Sequence, residues 1–283
     1  MYAVIANNAA WLTAVLLLSL RLAAVFLATP LLAPGSVPVL VRVMIVLGLA
    51  ACLSLGLPGG AAGVLPAGVG AWLAAGLSEL ALGMTLSLGI LLAFASFSMA
   101  GELLGFQMGF SLGQVLDPLS RTNVPILTSL FNQLAVLVFF LSNGHHVLLR
   151  GLAYSLERFP LGRPWPLEAG LGPVLLEVSG FFSLGFALAA PVVFCLLMVE
   201  IALGVVARNM PQINMLAMGI PAKVVVGLAA LSLWFVGMGD VMERIYGTIY
   251  RCWDAIFAWI PAGSSLDVYA ALSAWALGPQ RGT

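Results

Sequence analysis

Residues Gly101–Pro118 read GELLGFQMGFSLGQVLDP. Gly101, Gly105, Gly109 and Gly113 recur at every fourth position. On a helix they form one slowly drifting ridge without side chains, along which another backbone can come close. Each glycine also weakens the helix, by roughly 0.5–1 kcal/mol relative to alanine. The same stretch carries Glu102, Gln107, Ser111, Gln114 and Asp117 inside a very apolar chain. Polar, weakly helical backbone at membrane depth is tolerated only where it is buried in protein or lines a cavity. The segment therefore points to a pore element more than to a simple anchor.

The 283 residues are 62% hydrophobic and 8% charged, with mean hydropathy +1.10. A soluble domain carries about 25% charged residues. The composition is that of a polytopic helical membrane protein, or of a subunit buried in an apolar assembly. Formal net charge is zero, and no basic patch interleaves with aromatics, which argues against a nucleic-acid partner. Cys52, Cys195 and Cys252 lie far apart in apolar runs without a CxxC pair. They read as small buried hydrophobes rather than as disulfides or metal ligands. The N-terminus lacks the basic region of a signal peptide, and its apolar run is long and interrupted by Arg21, so a retained helix is expected.

A membrane-crossing helix needs about 20 apolar residues. Six runs meet this: Ala9–Thr29, Val39–Leu57, Gly70–Met99, Ile126–Leu149, Leu175–Ala207 and Met215–Met238. Pro30, Pro34, Gly35 and Pro38 separate the first two, and the Gly- and Pro-rich residues 58–70 separate the next. Asp117-Pro118 is expected to stop the third helix, because the residue before proline is pushed out of helical geometry. Pro125 then suits the first position of the fourth. Pro191 and Pro221 should kink their helices. Residues 150–172 form the longest polar interval. From Asp240 onward apolar and charged residues alternate at helical spacing, which predicts an amphipathic helix at a surface. Positive charges give no clean alternation between loops. The expected fold is all-α, polytopic and built of hairpins with kinked long helices. It divides into residues 1–99, a glycine-rich segment 100–125, residues 126–260, and a tail 261–283.

Arg21, Glu79, Glu102 and Glu200 sit in apolar surroundings, where a charge is costly and marks a pair, a watery path or a functional site. Structural pairing, between helices or with partner subunits, is the plainer reading for Arg21, Glu79 and Glu200. Glu102 abuts the glycine ridge and suits a pore equally well. Adjacent His145 and His146 point to different helix faces, whereas metal ligands on a helix favour i, i+4 spacing. No catalytic or nucleotide-binding signature occurs, so neither covalent chemistry, a metal nor a cofactor is expected. The methionines could form a deformable seal, although core filling is their ordinary use.

Several segments together resemble one family. They are ATPLLAPGSVPVLVR (Ala28–Arg42), AGELLGFQMGFSLGQVLDPLSRTN (Ala100–Asn123), FLSNGH (Phe140–His145), ALG (Ala202–Gly204), ARNMPQIN (Ala207–Asn214) and GIPAK (Gly219–Lys223). The pattern is similar to the flagellar biosynthetic protein FliR family, whose relatives are the T-type export-apparatus subunits of virulence injectisomes. The resemblance implies a core subunit of the type III export gate in the bacterial inner membrane, at the flagellar basal body. It implies assembly with P-type and Q-type subunits into a helical, pore-forming hetero-oligomer holding one copy of this chain. A B-type switch protein, an A-type export protein, unfolded flagellar substrates and membrane lipid are the further implied partners. The assembled family complex sits largely above the membrane plane.

In that family a loop after the glycine-bearing helix plugs the pore. The matching positions are Met108 to Val124. Gly109 and Gly113 supply flexibility, Ser111, Gln114, Ser120, Thr122 and Asn123 tolerate water, and Asp117-Pro118 turns the chain. Phe110, Leu112, Val115, Leu116, Leu119 and Arg121 complete the segment. Gly101 and Gly105 are assigned to close helix packing. Arg21, Glu79, Glu102, Glu200, Arg208, Gln212 and Lys223 are the candidate polar contacts between subunits; Lys223 could meet a partner's acid. The rival readings are an injectisome gate subunit, a secondary transporter for ions or small solutes, and a membrane-embedded enzyme.

Overall fold

Each long apolar run becomes a helix. The computed structural model describes residues 2–30, 38–55, 68–110, 126–163, 165, 167–210, 212 and 214–258. Among these the elements are α1 (Tyr2–Ala28), α2 (Val39–Leu55), α3 (Val69–Gln107), α4 (Ile126–Leu141), α5 (Gly144–Arg158), α6 (Leu167–Asn209), α7 (Met215–Gly237) and α8 (Gly239–Ala258). The fold is all-α across the described residues. Four helices, α1, α3, α6 and α7, are long and apolar enough to cross a membrane. At 1.5 Å per residue, the 39 residues of α3 and the 43 of α6 run to about 58 and 64 Å. A bilayer's hydrocarbon core is about 30 Å thick, so both helices extend well past it.

Helix α3 is the spine, packed by α1, α4, α6 and α8. Its Leu86, Ile90, Phe97, Ala100 and Leu104 are fully buried. Close approach to α1 depends on Gly83, where an added Cβ would lie 2.6 Å from the Arg21 carbonyl oxygen.

The expected amphipathic helix forms as α8, its apolar face docked against this spine and its charged face at the surface. Met242, Ile245, Tyr246, Ile249, Cys252, Trp253 and Ile256 of α8 are buried. Asp240, Glu243, Arg244 and Arg251 face outward. The reason lies in other helices. A Cβ on Gly151 would fall 2.2 Å from the Trp253 ring, and one on Gly89 would fall 3.3 Å from Cys252 Sγ. Those two glycines leave a seat for α8. Trp253 Nε1 then donates to the Leu86 carbonyl at 2.9 Å, and the Tyr246 hydroxyl donates to the Ala135 carbonyl. The Tyr246 ring lies 5.7–6.2 Å from the rings of Phe94, Phe97 and Phe139.

Other expected boundaries move. Ile126–Leu149 is not one straight helix: α4 and α5 meet at a 72° bend, and only as a bent pair do they match a membrane span in length and composition. Asn143 takes a left-handed conformation there, φ 56°, which asparagine tolerates better than most residues. Gly144 follows because a Cβ would meet the Phe139 ring at 2.6 Å. The bend falls inside FLSNGH. The polar interval 150–172 is also largely helical: α5 continues to Arg158 and α6 starts at Leu167. Helix α6 continues through Pro173 and Pro191, and α7 through Pro221.

Helix α3 does not run on to Asp117-Pro118; it ends at Gln107. Gly109 is left-handed, φ 84°. The Gly109 N–H donates to the Phe106 carbonyl at 3.1 Å, and the Phe110 N–H to the Gly105 carbonyl at 3.0 Å. These are the two bonds of a Schellman cap. The glycine thus ends the helix before the expected proline stop is reached. Residues 111–125 and the tail 261–283 lie outside the described residues.

Burial on α8 has a chemical consequence. It pushes the Cys252 thiol up to about 12, with Glu177 adding to the rise. A raised thiol pKa empties the reactive thiolate at neutral and mildly alkaline pH. Cys252 in the folded chain is therefore expected to resist maleimide at pH 8 and to react fully after denaturation. Equal labelling rates in both states would mean that α8 is not docked as described.

Candidate functional site

The charges that the apolar composition cannot leave exposed are brought together in pairs. Arg21 on α1 and Glu79 on α3 are 1% and 2% exposed and meet at 2.7 Å, Nε to Oε2. The Arg21 guanidinium also donates through Nη1 to the Ser155 carbonyl and hydroxyl, both at 3.1 Å. Through Nη2 it donates to the Phe159 carbonyl at 3.0 Å. Those carbonyls end α5, where the helix dipole favours a cation; the Ser155 carbonyl also accepts from the Phe159 N–H at 2.9 Å. The other Glu79 oxygen accepts from the Gly162 N–H at 3.0 Å. Beside it in the chain, the Ser78 hydroxyl donates to the Arg163 carbonyl at 2.6 Å and accepts from the Trp165 N–H at 2.7 Å. A single buried cation thus ties α1, α3 and α5 to the turn that leads into α6. For Arg21 and Glu79 the sequence left open pairing between helices or with partner subunits; here they pair with each other between α1 and α3. Ser155, Ser78 and Gly162 went unrecognised, because nothing local marks a serine or a backbone amide as an ion-pair partner.

Glu200 on α6 and Lys223 on α7 form the second pair. Lys223, thought able to meet a partner's acid, is taken by an acid of its own chain. This pair is half-buried, with side chains 22% exposed for Lys223 and 38% for Glu200. Arg208, in the last turn of α6, and Gln212, just past it, are both exposed.

At the far end of α3, Gly101 presses on α4, where a Cβ would lie 2.6 Å from Thr128 Cα. Gly105 is buried, while Glu102 is exposed. Met108, the first position assigned to the plug, is fully buried. Its side chain fills the space that Gly227 of α7 leaves open, within 2.6 Å of where a Cβ would stand. Met108 is therefore a core anchor, and Gly109 and Phe110 form the cap that follows it. The remaining plug positions, Ser111 to Val124, lie outside the described residues.

The surface is divided in character. In their most apolar stretches, 61% of α3 residues are buried by the chain, against 28% in α6 and 17% in α7. Phe182, Phe186, Phe194 and Ile201 of α6, with Val225, Leu233 and Val236 of α7, stand exposed. Apolar surface on this scale marks contact with lipid or protein. His145 and His146 lie beside the bend, ring centroids 4.2 Å apart. Among the described residues no group of three or more His, Cys, Asp or Glu could hold a metal.

Known proteins share this arrangement of sequence. The flagellar biosynthetic protein FliR of Escherichia coli K12 is 28% identical over 243 residues, 86% of this chain and 92% of its own length. FliR of Bacillus subtilis 168 is 31% identical over 178 residues, 60% of this chain and 69% of its own. The secretion system apparatus protein SsaT of Salmonella typhimurium LT2 is 25% identical over 165 residues, 58% of this chain and 64% of its own. The family described as bacterial export proteins, family 1, matches residues 12–249. That range holds both ion pairs, the capped end of α3 and the exposed hairpin of α6 and α7, and the chain belongs to this family of bacterial export proteins.

Proposed function

We propose that this chain is a core subunit of the flagellar type III protein export gate, assembling with P-type and Q-type subunits into a gated channel for unfolded flagellar proteins. The observation that carries this reading is the α6–α7 hairpin, an apolar surface that the chain leaves uncovered although the family is one of export proteins. Such a surface needs a cover, and in an export gate lipid and the neighbouring subunits share it. The subunit sits in the bacterial inner membrane at the flagellar basal body, with one copy per complex, and the B-type and A-type export proteins act beside it. It performs no covalent step.

Residues 108–124 serve as the closure of the channel in this reading. Met108 and the cap at Gly109 hold one end in place, and α4 holds the other.

Co-expression with the P-type and Q-type neighbours, followed by native mass measurement in mild detergent, tests the reading. A discrete large complex with one copy of this chain is expected. A solitary monomer that binds a solute saturably would overturn it in favour of a transporter. The same complex in vesicles tests the closure: removal of residues 109–122 is expected to let ions through, and vesicles as tight as wild type would reject it. Similarity to SsaT supports a second reading, an injectisome gate. Loss of motility with normal membrane energisation on deletion distinguishes the flagellar role.

A further inference from the structure

Helix α3 carries two acids with opposite fates. Glu79 is buried and paired. Glu102 is exposed and, among the described residues, forms neither an ion pair nor a hydrogen bond. It does not sit on a loose segment, because Gly101 beside it is pressed against the α4 backbone at Thr128. One turn earlier, Ser98 Oγ donates to Asn132 Oδ1 at 2.7 Å across the α3–α4 seam. One turn later, Phe106 is 72% exposed. Residues four apart on a helix are neighbours, so Ser98, Glu102 and Phe106 make one flank, polar and then aromatic, on a rigid crossing. The hydroxyl of Thr128, whose backbone Gly101 touches, is buried without a partner among the described residues.

An ionised carboxylate among apolar helices is costly unless paired or hydrated. The aromatic neighbour decides between these. A ring face attracts a cation, and a guanidinium can hold a carboxylate with its planar fork while stacking on a ring. Water gains nothing comparable from an exposed phenylalanine. We infer that Glu102 and Phe106 form the receiving half of a contact with an arginine on an apolar helix of a neighbouring gate subunit. The inference rests on the export-gate reading and names one point of its assembly.

The test compares wild type, Glu102→Gln, Glu102→Arg and Phe106→Ala, each co-expressed with the P-type and Q-type subunits and measured by native mass. Glu102→Arg is expected to weaken incorporation about thirtyfold or more, the effect of breaking a desolvated charge pair. Glu102→Gln and Phe106→Ala should weaken it less. An arginine-to-glutamate change in one neighbouring subunit should restore Glu102→Arg. Protection of Cys252 from maleimide reports whether each variant has folded. Should Glu102→Arg fail that check, Glu102→Gln decides, since it removes the charge without adding bulk. Full incorporation of both Glu102 variants overturns the inference, and altered ion passage in such an intact complex would assign Glu102 to the channel wall. Absence of any complex with wild type would instead remove the export-gate reading itself.

Discussion

Replacing Arg21 by methionine is expected to destabilise the folded chain by about 3–5 kcal/mol, the usual cost of removing one partner from a buried ion pair. The size follows from what is stranded. Arg21 is 1% exposed, and its guanidinium meets four acceptors: Glu79 Oε2, the Ser155 carbonyl and hydroxyl, and the Phe159 carbonyl. Without it, the Glu79 carboxylate keeps only the Gly162 N–H among its described partners. The Phe159 carbonyl also loses its Arg21 donor, at about 1–3 kcal/mol for a group left unmade, while the Ser155 carbonyl keeps the Phe159 N–H at 2.9 Å. Lysine is not a conservative replacement, because a point charge cannot span three directions at once. Glu79→Leu added to Arg21→Met should recover part of the loss, since no charge then remains buried alone. Thermal unfolding in detergent at one fixed scan rate reads all three variants. A midpoint for Arg21→Met equal to wild type would show that the network contributes nothing.

Gly101→Ala sets two effects against each other. Alanine gains about 1 kcal/mol over glycine within a helix. Its Cβ, however, would lie 2.6 Å from Thr128 Cα, 2.9 Å from the Leu127 carbonyl oxygen and 3.0 Å from the Thr128 nitrogen. All three are backbone atoms, which cannot rotate aside, so α3 and α4 must separate. Overpacking of this kind costs about 1–3 kcal/mol, and Gly101→Leu should cost more than Gly101→Ala. Gly48 on α2 is the control, with nothing within 4 Å of an added Cβ. Gly48→Ala should be neutral or slightly stabilising through helix propensity alone. If Gly101→Ala and Gly48→Ala shift the unfolding midpoint alike, the close crossing of α3 and α4 does not exist. The crossing lies near both ends of residues 108–124, so its loosening should also show as ion leakage in the assembled gate.

The amino-acid sequence by itself determined the class of the protein. Apolar runs of membrane length and a shortage of charge leave only helices as a way to satisfy the backbone. Pro30 and Pro38 bracket the break between α1 and α2, which pack on each other, through local sterics that act wherever the chain goes. The amphipathic period of α8 was equally legible, because it needs only its own twenty residues.

Tertiary structure decided the rest, and in each case the cause lies far along the chain. That α8 faces the protein and not a membrane surface depends on Gly89 and Gly151, in two other helices. That Arg21 pairs with Glu79 depends on α1 and α3 crossing at Gly83. That Met108 is an anchor depends on the missing side chain of Gly227. The end of α3 at Gln107 was written locally, in the left-handed cap at Gly109, nine residues ahead of the proline expected to stop it. Periodicity and hydropathy report what a segment can bury. Which partner covers it is set by where backbones can approach, and that is a property of pairs of segments, absent from either one alone.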